Sequence, residues 1–107
     1  MDDTKLLELA AASYGQRIVA WNTQHGGHPV AVLDGGTFWQ PLHENALTDC
    51  MGDALRLAVK MALEIRHGVG MVTAAGDCVW EEVDTANYTR EEATRRAIVR
   101  AAAAMAP

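Results

Sequence analysis

The sequence predicts an α+β fold, an α-β-α sandwich in which three helices cover an antiparallel sheet made of two β-hairpins. Three observations support this class. Helical periodicity recurs in three segments, two hairpin patterns rich in β-branched residues separate them, and half of the 107 residues are hydrophobic. The predicted order of elements is αββαββα, and the length of the chain fits one domain spanning residues 1–107.

The first helix and the first hairpin follow one another at the start of the chain. Residues 2–4 offer side-chain oxygens and acidic charge to the helix N-terminus, and Gly15 is a typical C-cap. The segments 17–21 and 30–33 combine β-branched and aromatic residues, which favours strands. Because the glycine-bearing segment 22–28 lies between them, we predict one antiparallel hairpin with a long loop.

Residues 37–48 are predicted to form an ordered loop that packs on the core as a flap. Pro41 argues against a regular strand interior in this segment. Trp39 is the tryptophan of the flap, and we expect it to be exposed because tryptophan is enriched at binding hot spots.

The second helix is predicted to begin near Thr48 or Asp53 and to continue to Ile65. Its apolar residues cover most of the circumference and leave only a narrow polar strip. A helix of this kind is either buried on two sides or contacts a partner. The predicted partner-binding surface combines the flap tryptophan with residues of this helix: Trp39, Leu57, Met61 and Ile65.

A second hairpin is predicted from strands 69–74 and 78–83, joined by the short, glycine-bearing turn 75–77. Both alternating phases of the last strand contain acidic residues, so its pattern does not identify the buried face. Glu81 and Glu82 are neighbours on this strand and are predicted to point to opposite faces, which excludes them as a paired carboxylate site.

The last helix has a clear predicted start, because Thr89 and Glu92 have the spacing of a capping box. Small residues after Ala93 form a narrow face suited to close approach on a sheet. We predict a solvated outer face on which Glu91 pairs with Arg95 and Glu92 pairs with Arg96. The alternative for this face is phosphate or nucleic-acid binding by its arginines: Arg95, Arg96 and Arg100.

Two segments carry a family resemblance. The first is Trp39-Gln40-Pro41-Leu42 followed by Asp-Ala-Leu-Arg-Leu-Ala-Val-Lys at residues 53–60, and the second is Glu-Ala-Thr-Arg-Arg-Ala-Ile-Val-Arg-Ala-Ala-Ala at residues 92–103. Together they resemble the phage ABA sandwich domain family of small bacteriophage and prophage proteins, over most of the chain. The resemblance implies a phage or prophage origin and a matching order of elements. It implies no established activity and carries over no functional residue.

Composition limits the possible partners. The net charge of −5 favours solubility and makes nucleic acid or an anionic membrane an unfavourable partner. The sequence has no apolar run of the length that spans a bilayer. Its first residues are acidic where a signal peptide needs a basic region, so we expect a cytoplasmic protein. Cys50 and Cys78 are then expected to be reduced, partly buried thiols.

Four residues are candidates for metal binding or nucleophilic catalysis: His25, His28, His43 and Cys50. His25 and His28 form one close pair, but a metal site needs three or four converging ligands, so we expect a polar hairpin tip and no cofactor. Cys50 lies near a helix N-terminus and could be activated by His43, but no third orienting group is evident. We expect Cys50 to be a small, half-buried residue.

The sequence therefore favours a protein that binds a host or phage protein and is not an enzyme. One alternative is a domain that acts as a homo-oligomer, such as a dimer. The other is a small metal-binding protein or enzyme that uses His25, His28, His43 and Cys50.

Overall fold

The described part of the chain forms three helices and two antiparallel three-stranded sheets. The computed structural model describes residues 3–22, 30–42 and 50–106, with the side chains of residues 50 and 51 left out. The elements are α1 (Asp3–Ser13), β1 (Ile18–Asn22), β2 (Val30–Leu33), β3 (Phe38–Trp39), α2 (Cys50–Lys60), β4 (Glu64–Gly68), β5 (Met71–Ala75), β6 (Trp80–Asp84) and α3 (Arg90–Ala104). The α+β class is confirmed. The predicted order αββαββα and the single sheet are wrong, because β3 and β4 were not predicted.

The first sheet has the strand order β1-β2-β3. The predicted pairing of β1 with β2 is confirmed. After β2 the chain reverses through Gly35 and Gly36, whose φ values of 102° and 87° are accessible mainly to glycine. Phe38 and Trp39 therefore return as a short strand against β2. This part of the predicted flap is a strand, and residues 43–48 of the flap lie outside the described residues.

The second helix ends earlier than predicted, at Lys60. The amides of Ala62 and Leu63 donate to the carbonyls of Val59 and Ala58 over 3.1 and 2.9 Å, and the φ of Ala62 is 55°. This is the Schellman arrangement that ends a helix with one left-handed residue.

The first helix ends in the same way, which confirms Gly15 as its C-cap. Gly15 has a φ of 81°, and the amides of Gly15 and Gln16 donate to the carbonyls of Ala12 and Ala11. Each of these helix ends leads directly into a three-stranded sheet. Within the described residues the elements therefore follow one another as two successive αβββ units and α3.

The second sheet has the order β4-β5-β6, and its β5–β6 hairpin was predicted. The strand β4 was predicted as the end of the second helix. It pairs in register with β5 from Glu64 opposite Ala75 to Gly68 opposite Met71. The turn between them contains Gly70 with a φ of 74°. Pairing with β5 gives the backbone of β4 its hydrogen-bond partners, and this outweighs the helical periodicity that continues to Ile65.

The last helix packs against both halves of the molecule. Its Ala93, Ala97 and Ala101 meet the second sheet in a cluster with Val72, Ala74 and Val83, which confirms the predicted face of small residues. A different side of α3 joins α1, α2 and the first sheet in the larger core cluster. The members of that cluster are Leu6, Leu7, Ala10, Ala11, Ala31, Leu33, Trp39, Ala54, Leu57, Ala58, Ile98, Val99, Ala102 and Ala103.

The predicted N-cap of α3 at Thr89 is confirmed, but the reciprocal bond of the capping box, from the Thr89 amide to the Glu92 carboxylate, is absent among the described residues. Thr89 has extended backbone angles, and its hydroxyl accepts a hydrogen bond from the amide of Glu92 over 3.2 Å. The carboxylate of Glu92 binds two arginines, Arg95 and Arg96. The predicted pair of Glu92 and Arg96 is therefore confirmed, whereas Arg95 pairs with Glu92 in place of the predicted Glu91.

Candidate functional site

An apolar row crosses the outer face of the first sheet. Ala20 lies directly opposite Val32, and Val32 lies directly opposite Phe38, so the three side chains stand on one face of three neighbouring strands. Ala20 and Phe38 are exposed, Phe38 by 53%, and Val32 is half-buried. We call Ala20, Val32 and Phe38 the outer row. All three side chains are apolar.

A β-bulge extends the apolar surface at β1. The register between β1 and β2 shifts between Ile18 and Ala20, which makes Val19 the extra residue. Val19 is 50% exposed, while Ile18 packs against the core. The bulge therefore presents a second β-branched side chain to solvent beside the outer row.

Residues beneath the outer row hold it in place. Ala31 and Trp39 alternate with the outer residues and point inward, and both are buried. Trp39 stacks on Tyr14 with ring centroids 6.3 Å apart. The backbone amide of Gln40 donates to the carboxylate of Asp53 over 2.9 Å, which ties the end of β3 to α2.

The predicted partner-binding surface does not form one exposed face. Trp39 is only 4% exposed because strand alternation turns it inward while Phe38 points outward, so the expectation of an exposed Trp39 is wrong. Leu57 is fully buried on the core side of α2. Met61 lies in the turn after α2 and Ile65 lies in β4, and both are half-buried against the core. Strand β3 could have been recognised from its two preceding glycines.

The side of α2 that faces solvent is apolar in part. Leu55 and Val59 are 52% and 80% exposed and stand one helical turn apart. Arg56 and Lys60 are exposed beside them. The wide apolar arc of the sequence thus divides into a buried stripe and an exposed stripe, and only the buried stripe belongs to the core.

The arginines of α3 are not the solvated face that was predicted. Arg95 is 5% exposed and binds Glu92, with 2.7 Å between Nη2 and Oε2. Arg96 binds the other oxygen of Glu92 over 3.0 Å and also Asp3 over 3.1 Å, and its guanidinium lies over the ring of Tyr88. Glu92 and Asp3 therefore neutralise most of the positive charge of this face, which leaves little to attract a phosphate.

The pKa of Arg96 reflects this surrounding. Burial disfavours the charged guanidinium and lowers its pKa, but the hydrogen bond and the charge of Asp3 outweigh that effect, with help from Glu92 and Tyr88. The net result is a pKa raised above its usual value. Arg96 is therefore a fixed positive charge that links α1 to α3.

A shallow cleft of about 430 Å³ lies between α1, β6 and α3. Its floor is apolar and includes Leu6 and Leu9. Its rim contains two acids and two arginines: Asp3, Glu81, Arg96 and Arg100. The formal charges of these four side chains sum to zero. Glu82 lies on the opposite face of β6 from Glu81, as predicted, since it shares its side with Trp80.

The metal and nucleophile hypotheses fall largely outside the described residues. His25, His28 and His43 belong to segments that the structure does not describe, and Cys50 is described only in its backbone. Among the described side chains no three metal-binding groups come together. Cys78 is a free thiol and is exposed, whereas it was predicted to be partly buried.

Comparison with known proteins identified no relative of this chain. A scan of protein families, a search of curated proteins and a search of solved structures each found no match. In the described part of the chain no helix has the length and apolar character that crossing a bilayer requires. The resemblance to the phage ABA sandwich family stays a prediction that rests on the segments 39–42, 53–60 and 92–103.

Proposed function

We propose that this chain is a phage or prophage accessory protein of the host cytoplasm that acts by binding a host or phage protein, rather than by catalysis. The outer row carries the proposal. An antiparallel sheet with one face on the core normally presents polar side chains on its other face. Here Ala20, Val32 and Phe38 occupy that solvent face instead.

The row matters more than any one of its members. Single exposed apolar residues are common on protein surfaces and need no partner. Three adjacent ones on a rigid sheet, flanked by Val19, form a surface that a partner can cover without moving the backbone. Phe38 is its anchor, because it is the largest side chain of the row and about half of its surface is still exposed for a partner to cover.

The chemistry of the row indicates an apolar partner surface. The row has no charged residue, and the net charge of the chain is −5, so a polyanion such as nucleic acid would be repelled. The origin in a phage or prophage is supported by the resemblance of residues 39–42, 53–60 and 92–103.

The proposal is tested by affinity capture from a lysate of the cell that carries this gene. Wild type is compared with Phe38→Asp, which places a charge in the middle of the apolar surface. Val69→Asp is the matched control, because Val69 is a fully exposed apolar residue in the turn of the second sheet. We expect a protein that wild type and the control capture and that Phe38→Asp loses at least tenfold.

Thermal unfolding of the three proteins shows whether each is folded, and both substitutions are at exposed positions where folding changes little. Capture of the same proteins by Phe38→Asp and wild type would show that the outer row is not the binding surface. Capture of no protein by wild type would contradict the binding function itself.

A further inference from the structure

Two surfaces of this chain are complementary to each other. One is the helix face, which we define as Leu55, Arg56, Val59 and Lys60 on the exposed side of α2. The other is the trough, the outer face of the second sheet with Thr73 and Ala75 as its floor. Neither surface includes a residue of the outer row.

The helix face is apolar and basic. Leu55 and Val59 line up one turn apart, and Val59 is 80% exposed, which is unusual for an aliphatic side chain on a helix whose other side is packed. Arg56 and Lys60 flank this stripe one position further along. Arg56 donates to Asp53 over 2.7 Å, so Lys60 carries more of the uncompensated positive charge.

The trough has small residues between larger walls. Ala75 lies between Glu64 and Trp80, and the two ladders place them in one row. Thr73 and Ala75 are half-buried, whereas the side chains on both walls are exposed. At these two positions small side chains of β5 therefore lie between larger side chains of β4 and β6.

One wall of the trough is aromatic and acidic. Trp80 is 56% exposed, and its indole Nε1 donates to Glu82 Oε1 over 2.6 Å. This bond holds the ring in place beside the floor. On the other wall Glu64 pairs with Arg66 over 2.7 Å, so that wall is close to neutral. The uncompensated charge of the trough is therefore negative and centred on β6.

The two elements that carry these surfaces have similar lengths. The eleven-residue α2 is about 16 Å long, and a five-residue strand such as β5 is about 17 Å long. A helix packed along a sheet is an ordinary arrangement inside domains. The same packing is available here between two molecules.

We propose that the chain self-associates by placing the helix face of one copy in the trough of a second copy. Val59 and Leu55 cover the ring of Trp80, and Lys60 lies opposite Glu82. Because the two surfaces differ, a closed oligomer forms in one of two ways. Either two copies exchange both contacts, each placing its helix face in the trough of the other, or several copies form a ring. One short helix buries an area at the low end for specific interfaces, so the association is weak and requires high protein concentration.

The test is sedimentation equilibrium of the full chain between about 10 µM and 1 mM, a range that covers weak association. We expect the molar mass of wild type to rise with concentration. Lys60→Glu and Glu82→Lys should each weaken self-association at least tenfold, because each places like charges opposite one another. An equimolar mixture of the two variants should associate again, since the new carboxylate of K60E meets the new ammonium of E82K.

Phe38→Asp is the control and should self-associate like wild type, so this inference and the proposed function can fail independently. Recovery in the mixture also shows that neither variant is merely misfolded. A wild type that stays monomeric throughout the range would overturn the inference. So would a mixture that associates no better than its components, because the contact would then not join these two charges.

Discussion

Ala62 adopts a backbone conformation that glycine would adopt with less strain. Its φ of 55° is the one positive value at a residue other than glycine in the described part of the chain. It ends α2 as Gly15 ends α1, and an L-residue in this left-handed region costs about 1–2 kcal/mol. The conformation is maintained because the Schellman hydrogen bonds and the following strand both depend on it.

Ala62→Gly is therefore expected to raise the free energy of unfolding by about 0.5–1 kcal/mol, because the relief of strain exceeds the added flexibility of the unfolded chain. Urea denaturation measures the change. Gly15→Ala is the matched control, since a Cβ there has nothing within 4 Å and would act only through backbone strain. It should lower the free energy of unfolding. A destabilising Ala62→Gly would show that Ala62 contributes a contact that outweighs its strain.

Glu92 supplies the negative charge that compensates two arginines of α3. Its carboxylate binds the buried Arg95 and the half-buried Arg96. Within the described residues, Nε of Arg95 has no hydrogen-bond partner. Arg95 therefore relies on Glu92 to compensate a charge that has lost its water.

We expect Glu92→Ala to destabilise the fold by about 3–5 kcal/mol, because it leaves the guanidinium of Arg95 buried without a counter-charge. Arg95→Met removes that charge with a side chain of similar length and should change the stability by no more than about 1 kcal/mol. Guanidinium denaturation of both variants gives the comparison. If Arg95→Met proved the more damaging change, the pair would contribute net stability instead of compensating a buried charge.

At the scale of elements, the apolar residues of α2 form one wide arc in the sequence, but in the structure they divide into a buried stripe and an exposed stripe. Leu57 is fully buried and Leu55 is 52% exposed, although both are leucines two positions apart on the same helix. We expect Leu57→Ala to lower the free energy of unfolding by about 2–5 kcal/mol and Leu55→Ala by no more than about 0.5 kcal/mol. Thermal and chemical denaturation of the two variants check the difference. Equal losses would show that the helix is buried on both sides.

The elements that sequence analysis predicted well are those fixed by local chemistry. The hydroxyl of Thr89 and the missing side chain of Gly15 act within one helical turn, so their roles can be read from neighbouring residues. The predicted end of α2 was wrong because it depends on a contact that is distant along the chain. Residues 61–65 continue the apolar helical pattern, and only pairing with β5 turns part of them into a strand.

The candidate site was missed for a related reason. The outer row combines residues from three strands, and its members stand together only once the register of both ladders is known. A change of one residue in register moves a side chain to the other face. Trp39 was expected to be the exposed aromatic residue of the flap, but the structure turns Trp39 inward and leaves Phe38 on the outer face. Large aromatic residues indicate a site only when the alternation of their strand is established.

At the scale of the whole molecule, α3 joins two cores that would otherwise be separate. Its alanines complete the cluster of the second sheet, and its Ile98 and Val99 belong to the cluster of the first. Leu63 and Ile65 pack against both clusters. Loss of packing in either sheet would therefore expose one side of α3. We expect the two sheets and their helices to unfold together.

Val83→Ala tests this coupling, because Val83 is 2% exposed and lies in the cluster of the second sheet. We expect a loss of about 2 kcal/mol in the free energy of unfolding. The measurement combines circular dichroism with tryptophan fluorescence in a Trp80→Phe background, where Trp39 and Trp21 report on the first core. Since one helix serves both cores, both signals should shift to the same lower midpoint. A fluorescence midpoint that stays unchanged would show that the first sheet and α1 keep their packing without the second sheet.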